Sequence, residues 1–158
     1  DFTVTLYQAG SETMVGTPLT VSGSGVSGST EQEFTIPNVA PGTYDLVVTK
    51  SAHLKYTVKN VVVETTDLDL TALTGKAYST ITLLCGDING DGSINEDDVS
   101  IIRYVNNINK STADADNKLA DINGDGSVNE DDVSIVRYSS HINKSTQNCT
   151  HLFKEDQI

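Results

Sequence analysis

Residues 87–104 read DINGDGSINEDDVSIIRY, and residues 121–138 read DINGDGSVNEDDVSIVRY. The copies run on through INKST, so that 87–112 and 121–146 agree at 21 of 26 positions. Each opens with oxygen-bearing side chains on alternate residues. Asp87, Asn89, Asp91, Ser93, Asn95 and Asp98 fill the first, third, fifth, seventh, ninth and twelfth places, with Gly92 sixth. Asp121, Asn123, Asp125, Ser127, Asn129 and Asp132 fill the same places in the second copy, with Gly126 sixth. Alternate residues of a tight turn converge on one centre. A hard divalent cation that takes roughly six to eight oxygens needs such a ring. Glycine stands sixth because the backbone there bends through an angle that a side chain opposes.

This spacing is that of an EF-hand calcium loop, and it predicts two Ca²⁺, held by residues 87–98 and 121–132. Two departures matter. The twelfth residue is Asp rather than Glu, so the outgoing helix must approach the ion more closely. The residues before Asp87 (STITLLC) read as β structure, so the first unit is a loop with an outgoing helix only, an F-hand. The ions offset charge. Residues 1–84 hold eight acidic and four basic side chains, whereas 85–158 hold fourteen and six. A half that acidic repels itself unless cations are part of it, and metal binding is expected to be coupled to its folding.

Calcium does not explain the helices. Asn95 is placed to cap a helix from Glu96 to about Asn107. Val99 and Ile102 fall on one side, with Val133 and Val136 in the second copy. Asp97, Ile101, Tyr104 and Ile108 form a stripe on nearly the opposite side, repeated by Asp131, Ile135, Tyr138 and Ile142. So small a domain cannot easily bury both faces, and the repeated stripe predicts a partner. The plainer alternative packs a stripe on the β half or on the segment 113–120, read as a short helix with Leu119 inward.

Residues 1–84 have a different grammar. Phe2, Val4 and Leu6 alternate with Thr3, Thr5 and Tyr7, and Tyr44, Leu46 and Val48 with Asp45, Val47 and Thr49. Further strand-like runs are 17–22, 31–36, 54–63, 67–71 and 78–84, punctuated by Gly23 to Gly25, by Pro41 with Gly42, and by Gly75. About seven short strands predict an antiparallel β-sandwich. His53 reads as a solvated turn histidine, and Asp67 with Asp69 as an outward strand face. The fold class is therefore multidomain β + α: a β-sandwich at 1–84 and an α-helical paired calcium module at 85–158. No catalytic set appears, and the chain is not expected to be an enzyme. A net charge of −12 argues against nucleic acid or an anionic membrane surface as ligand. No apolar run is long enough to span a membrane. The chain opens in mid-pattern at Asp1, Phe2 and Thr3, and reads as a piece of a larger exported protein.

Residues 86–143 resemble a type I-like dockerin, the calcium-dependent module that docks bacterial polysaccharide-degrading proteins onto cohesin modules of scaffolding proteins (scaffoldins). The duplicated D-x-N-x-D-G loop with its outgoing helix carries the resemblance. It implies a 1:1 cohesin partner touching Glu96, Asp97, Ser100, Ile101, Tyr104 and Ile108, and Glu130, Asp131, Ser134, Ile135, Tyr138 and Ile142. It implies an extracellular place, in a cellulosome or on a bacterial cell surface. Many dockerins carry Ser–Thr before the last loop aspartate and Lys–Arg in the helix. Glu–Asp and Arg–Tyr stand here instead, which leaves the cohesin type open. The segment FTIPNVAPGTYDLVV (34–48) resembles Ig-like and transthyretin-like modules, and a β module directly before a dockerin resembles the X-module arrangement. Near-identity of the copies further implies two docking orientations related by a half-turn. Cys85 and Cys149 flank the calcium module, and a bond between them would stabilise it by about 4 kcal/mol. The alternative function is a carbohydrate- or cell-surface-binding protein whose calcium module is purely structural, although only nine aromatics and no Trp are present.

Overall fold

The computed structural model describes residues 1–26 and 31–153; the last five residues of the 85–158 stretch lie outside them. In chain order the elements are β1 (Phe2–Gln8), β2 (Met14–Val21), β3 (Gly42–Thr49), β4 (Tyr56–Val63), α1 (Glu96–Ile102), β5 (Lys110–Ser111), β6 (Ser127–Val128), α2 (Glu130–Val136) and β7 (Thr150–Leu152). A five-stranded sheet runs in the order β2-β1-β3-β4-β7. The first four strands are antiparallel. The alternation read from the sequence survives: Val4 stands opposite Val48, Leu6 opposite Leu46, and Leu46 opposite Val58. These side chains are buried and make the apolar face of the sheet.

The second layer is not a second sheet. Residues 31–36, 67–71 and 78–84 form no strands, although Phe34, Ile36, Leu70 and Ile81 still pack on the core. Local turn chemistry outcompetes the ladder there. Asp69 takes the amide and hydroxyl of Thr71 at 2.9 and 2.6 Å. The i+3 turns Leu70–Leu73, Leu73–Lys76 and Lys76–Ser79 follow. Asp69 therefore lies in a turn, and neither it nor Asp67 stands on a strand face. The layer is an irregular wrap whose deepest residue is Tyr78, 2% exposed. Pro41–Gly42 leads from this wrap into β3 rather than between two strands. Glycine is required at 42 because the Tyr44 hydroxyl, donating to Ala40 O, lies 2.8 Å from where a Cβ would sit.

Two long-range devices lock the sheet. Asp45 sits at a bulge in β3 and accepts from Gly10 N at 3.0 Å and Asn60 N at 2.9 Å. It thus ties the β1–β2 turn to β4. At the other edge β7 pairs in parallel with β4, placing Thr150, His151 and Leu152 beside Thr57, Val58 and Lys59. That strand comes from the end of the chain, after both calcium loops.

No free linker joins the halves. Leu54 N donates to Leu84 O and Gly86 N to Ala52 O, both at 2.8 Å, and His53 bridges Cys85. His53 is therefore a half-buried junction residue, not a solvated one. Burial lowers its imidazole to about 4, assisted by Lys50 and His141 and opposed by the Ser51 carbonyl. A folded pKa below the unfolded 6.5 means that the unfolded chain binds the extra proton. Stability should then fall as pH drops from about 6.5 to 4, by about 3 kcal/mol. Urea midpoints at saturating calcium should show this slope in the parent and not in His53→Gln; equal slopes would refute it.

Candidate metal centres and docking face

Each calcium-type loop is shaped by its own side chains. Asn89 Oδ1 accepts Asp91 N, Asp91 Oδ1 accepts Ser93 N, and Asn95 Oδ1 accepts Asp97 N, at 2.9, 2.9 and 2.6 Å. The second loop repeats these bonds at Asn123, Asp125 and Asn129. The twelfth residue does more than its place in the pattern foretold. Asp98 Oδ1 accepts Ile88 N and Asn89 N, and its Oδ2 accepts Asn95 N. One carboxylate therefore clamps the start of the loop to the helix and completes the capping box with Asn95. Asp132 does the same for Ile122, Asn123 and Asn129. Both carboxylates are fully buried. A shorter side chain at the twelfth place suits this clamp, since it keeps the carboxylate against its own helix cap.

Among the described residues no three carboxylate, imidazole or thiol groups come close enough to hold a metal by themselves. The donor set is mixed: carboxylates with Asn and Ser oxygens, as calcium accepts. One atom tests the fit. Asp87 Oδ1 is buried without a hydrogen-bond partner, while Oδ2 takes Gly92 N at 3.1 Å. A buried anionic oxygen left alone is costly unless a cation meets it. Burial holds the Asp87 carboxyl above its ordinary range, and Asp98 and Asp91 add to this. A bound cation would supply the missing positive charge there.

The copies meet about an approximate two-fold axis, and this explains repeats that the loops alone do not. Arg103 forks onto Glu130 at 3.0 and 2.6 Å, and Arg137 forks onto Glu96, its Nε at 2.9 Å from Oε1. INKST is repeated because each tail pairs with the other copy's loop. Lys110 and Ser111 pair with Val128 and Ser127, and Ser145 bridges Ser93. Thr112 N donates to Gly126 O and Thr146 N to Gly92 O, both at 2.9 Å. Gly92 has φ +85°, and a Cβ there would lie 3.3 Å from the Thr146 methyl. The Thr112 hydroxyl also bonds Asp121.

The helices stop sooner than the stripe spacing predicts, at Ile102 and Val136. Asn107, itself buried, donates from Nδ2 to Ile101 O at 2.7 Å and accepts Asn117 N at 2.9 Å. It closes α1 from the side. A single turn then carries Ile108 onward, through its bond to Tyr104 O. Val99, Ile102, Val133 and Val136 are buried as expected. Tyr104 and Tyr138 are 53% and 60% exposed. Ile101, Ile108, Ile135 and Ile142 are half-buried beside them. Ser100, Ile101, Tyr104 and Asn107 line a shallow, mostly apolar hollow. Asp97, Asp131, Ser100 and Ser134 lie exposed beside this surface, the two serines bonded back to Glu96 O and Glu130 O. The segment 113–120 contributes Ala115 and Ala120 to the core, with Leu119 turned outward at 42% exposure. A 3-10 turn at Lys118–Ala120, capped by Asn117, sets that phase.

Residues 85–138 match the Dockerin type I domain family. This stretch is a dockerin module. Its calcium-type loops thus have a family context, since dockerins are calcium-binding. The whole chain is also similar to two crystal structures, a C-terminal and an N-terminal interface mutant of a type II cohesin–X-dockerin complex from Acetivibrio cellulolyticus. Identity is 26% in both, with TM-scores of 0.56 and 0.57, covering 93% of this chain and 85% of theirs. The likeness takes in the β half as well as the dockerin, in X-module order. No curated protein sequence matches the chain.

The expected Cys85–Cys149 bond is absent from this dockerin, and both thiols are free. Cys85 Sγ lies 3.7 Å from His141 Nδ1. Cys149 is buried where the chain turns into β7, and burial raises the pKa of both thiols. The staple is supplied by strand pairing instead: β7 joins the end of the chain to β4.

Proposed function

We propose that the chain is a docking unit which seats on a cohesin of a scaffolding protein and so anchors a larger, extracellular polysaccharide-degrading protein. The observation that carries this is the repeated solvent-facing stripe. Tyr104 and Tyr138 stand exposed above half-buried isoleucines, at two sites with near-identical surroundings. Two Ca²⁺ hold the loops from which α1 and α2 leave, one through Asp87, Asn89, Asp91, Ser93, Asn95 and Asp98 and one through the matching set from Asp121 to Asp132. Glu96 and Glu130 flank the contact while forked to arginine, and Asp97, Asp131, Ser100 and Ser134 complete its polar rim. The likeness to type II complexes makes a type II cohesin the first partner to test. The β half acts as an X-module, bracing the dockerin through the 52–54 junction and β7.

The two-fold arrangement supports two orientations, each placing one stripe where the other had been. Isothermal calorimetry against a type II cohesin tests this. Replacing Ile101 and Tyr104 with alanine leaves the second orientation intact, so the loss of affinity is capped. Adding Ile135→Ala and Tyr138→Ala should abolish binding, by more than about a hundred-fold. A first pair of substitutions that alone abolishes binding would show a single mode.

A further inference from the structure

We propose that the two orientations are unequal and that Val105 sets the preference, so that the cohesin seats mainly on the face built by the first copy. This rests on the docking reading above and concerns how that face is used. The copies 87–112 and 121–146 differ at five positions. Two of them, Ile94 against Val128 and Ile102 against Val136, are fully buried and present no surface. The other three are consecutive. Residues 105–107 are Val, Asn and Asn, whereas 139–141 are Ser, Ser and His.

The third lies beneath the face rather than on it. Asn107 is buried and closes α1 at the floor of the Tyr104 hollow, and His141 is half-buried between Cys85 and the edge of the Tyr138 ring. The differences that stand exposed are Val105 and Asn106 against Ser139 and Ser140. Val105 is 70% exposed, the most exposed large apolar side chain among the described residues. It adjoins Tyr104 and extends the apolar patch on one copy only. Folding does not require it, because the two-fold equivalent turn is built with serine. A partner covering Tyr104 and its neighbour gains apolar burial that the same partner covering Tyr138 and Ser139 does not. Burying most of a valine in place of a serine is worth roughly a ten-fold difference in association constant. The observed constant is the sum over both orientations, so that ratio sets what each single substitution can cost.

Calorimetry with a type II cohesin at saturating calcium tests the ranking. In the parent, Tyr104→Ala should weaken binding about ten-fold, at which point the second orientation carries it, and Tyr138→Ala less than about two-fold. The exchange variant Val105→Ser, Asn106→Ser, Ser139→Val, Ser140→Asn should keep the parent affinity and reverse that ranking. Its thermal melt should stay close to the parent's, since the exchanged side chains are exposed and the bond given up, Asn106 Nδ2 to Asp116 Oδ2 at 2.8 Å, lies at the surface. Equal losses from the two tyrosines in the parent, or a ranking that survives the exchange, would overturn the proposal. A parent that binds no cohesin would fail before any ranking is read, and would sink the docking function itself.

Discussion

Chelation of calcium with EDTA should remove the helical circular dichroism of α1 and α2 together with any capture by cohesin. Each helix has seven residues, far below the length at which an isolated helix is stable in water. Their shared core is a few valines, isoleucines and alanines around Val99, Ile102, Val133 and Val136. Against it stand the acids of 85–158, in excess of the basic residues by fourteen to six, and the orphaned Asp87 Oδ1. An ion that binds only the folded loop at a thousand times its dissociation constant adds about 4 kcal/mol. Two such terms match the whole stability of an ordinary domain. The apo module should therefore be unfolded, or nearly so, at room temperature. Asp87→Ala should imitate chelation at the first loop, raising the calcium needed for half-maximal helix signal by at least ten-fold. A helix signal and urea midpoint indifferent to EDTA would show that the loops stand without ions.

Phe153→Ala should destabilise the β half, although the residue lies beyond both calcium loops. Phe153 is buried, its ring 5.7 Å from that of Tyr78, and its amide donates to Lys59 O at 2.8 Å. The His151 ring lies 5.1 Å from Tyr56. Tyr56 in turn donates to Ala77 O and is so desolvated that its hydroxyl pKa is pushed up to about 12. Truncating a buried phenylalanine costs about 3–5 kcal/mol. For a chain of this size that is a drop of roughly 10 °C in Tm. The path is direct: Gly92 O in the first calcium loop holds Thr146, Thr146 O accepts the Thr150 hydroxyl, and Thr150 opens β7 on β4. The measurement is calorimetric unfolding at saturating calcium. An unchanged Tm would show that the end of the chain rests on the sheet without supporting it.

Much of this was legible because it is local. The oxygen spacing of the loops, the Asn95 and Asn129 caps, the inward valines and the outward tyrosines depend on turns and helical period within a few residues. So does the alternation of β1 and β3. Other features were hidden because they depend on meetings across the chain. Nothing in STITLLC shows that Leu84 and Gly86 will bond to residues 52–54, which turns His53 from a surface histidine into a junction residue. Residues 31–36 alternate like a strand. In the sheet, β1 and β3 are flanked on both sides and β4 is taken by β3 and β7. The outer edge of β2 carries Pro18, which has no N–H to offer, and Gly16 at φ +70°. The opposite edge is β7, only three residues long, so a strand pattern with no full edge to join becomes a loop.

The amino-acid sequence by itself determined that this protein has a β half and a doubled calcium-type module, and which residues of its two helices face core and solvent. Only the tertiary structure decided that each INKST segment is the pairing partner of the opposite loop, that the arginines and glutamates cross-link the copies, and that β7 rather than a disulfide closes the molecule. Loops, caps and periods are written in neighbouring residues. Pairing between distant segments depends on which backbone donors and acceptors remain open once everything else has packed.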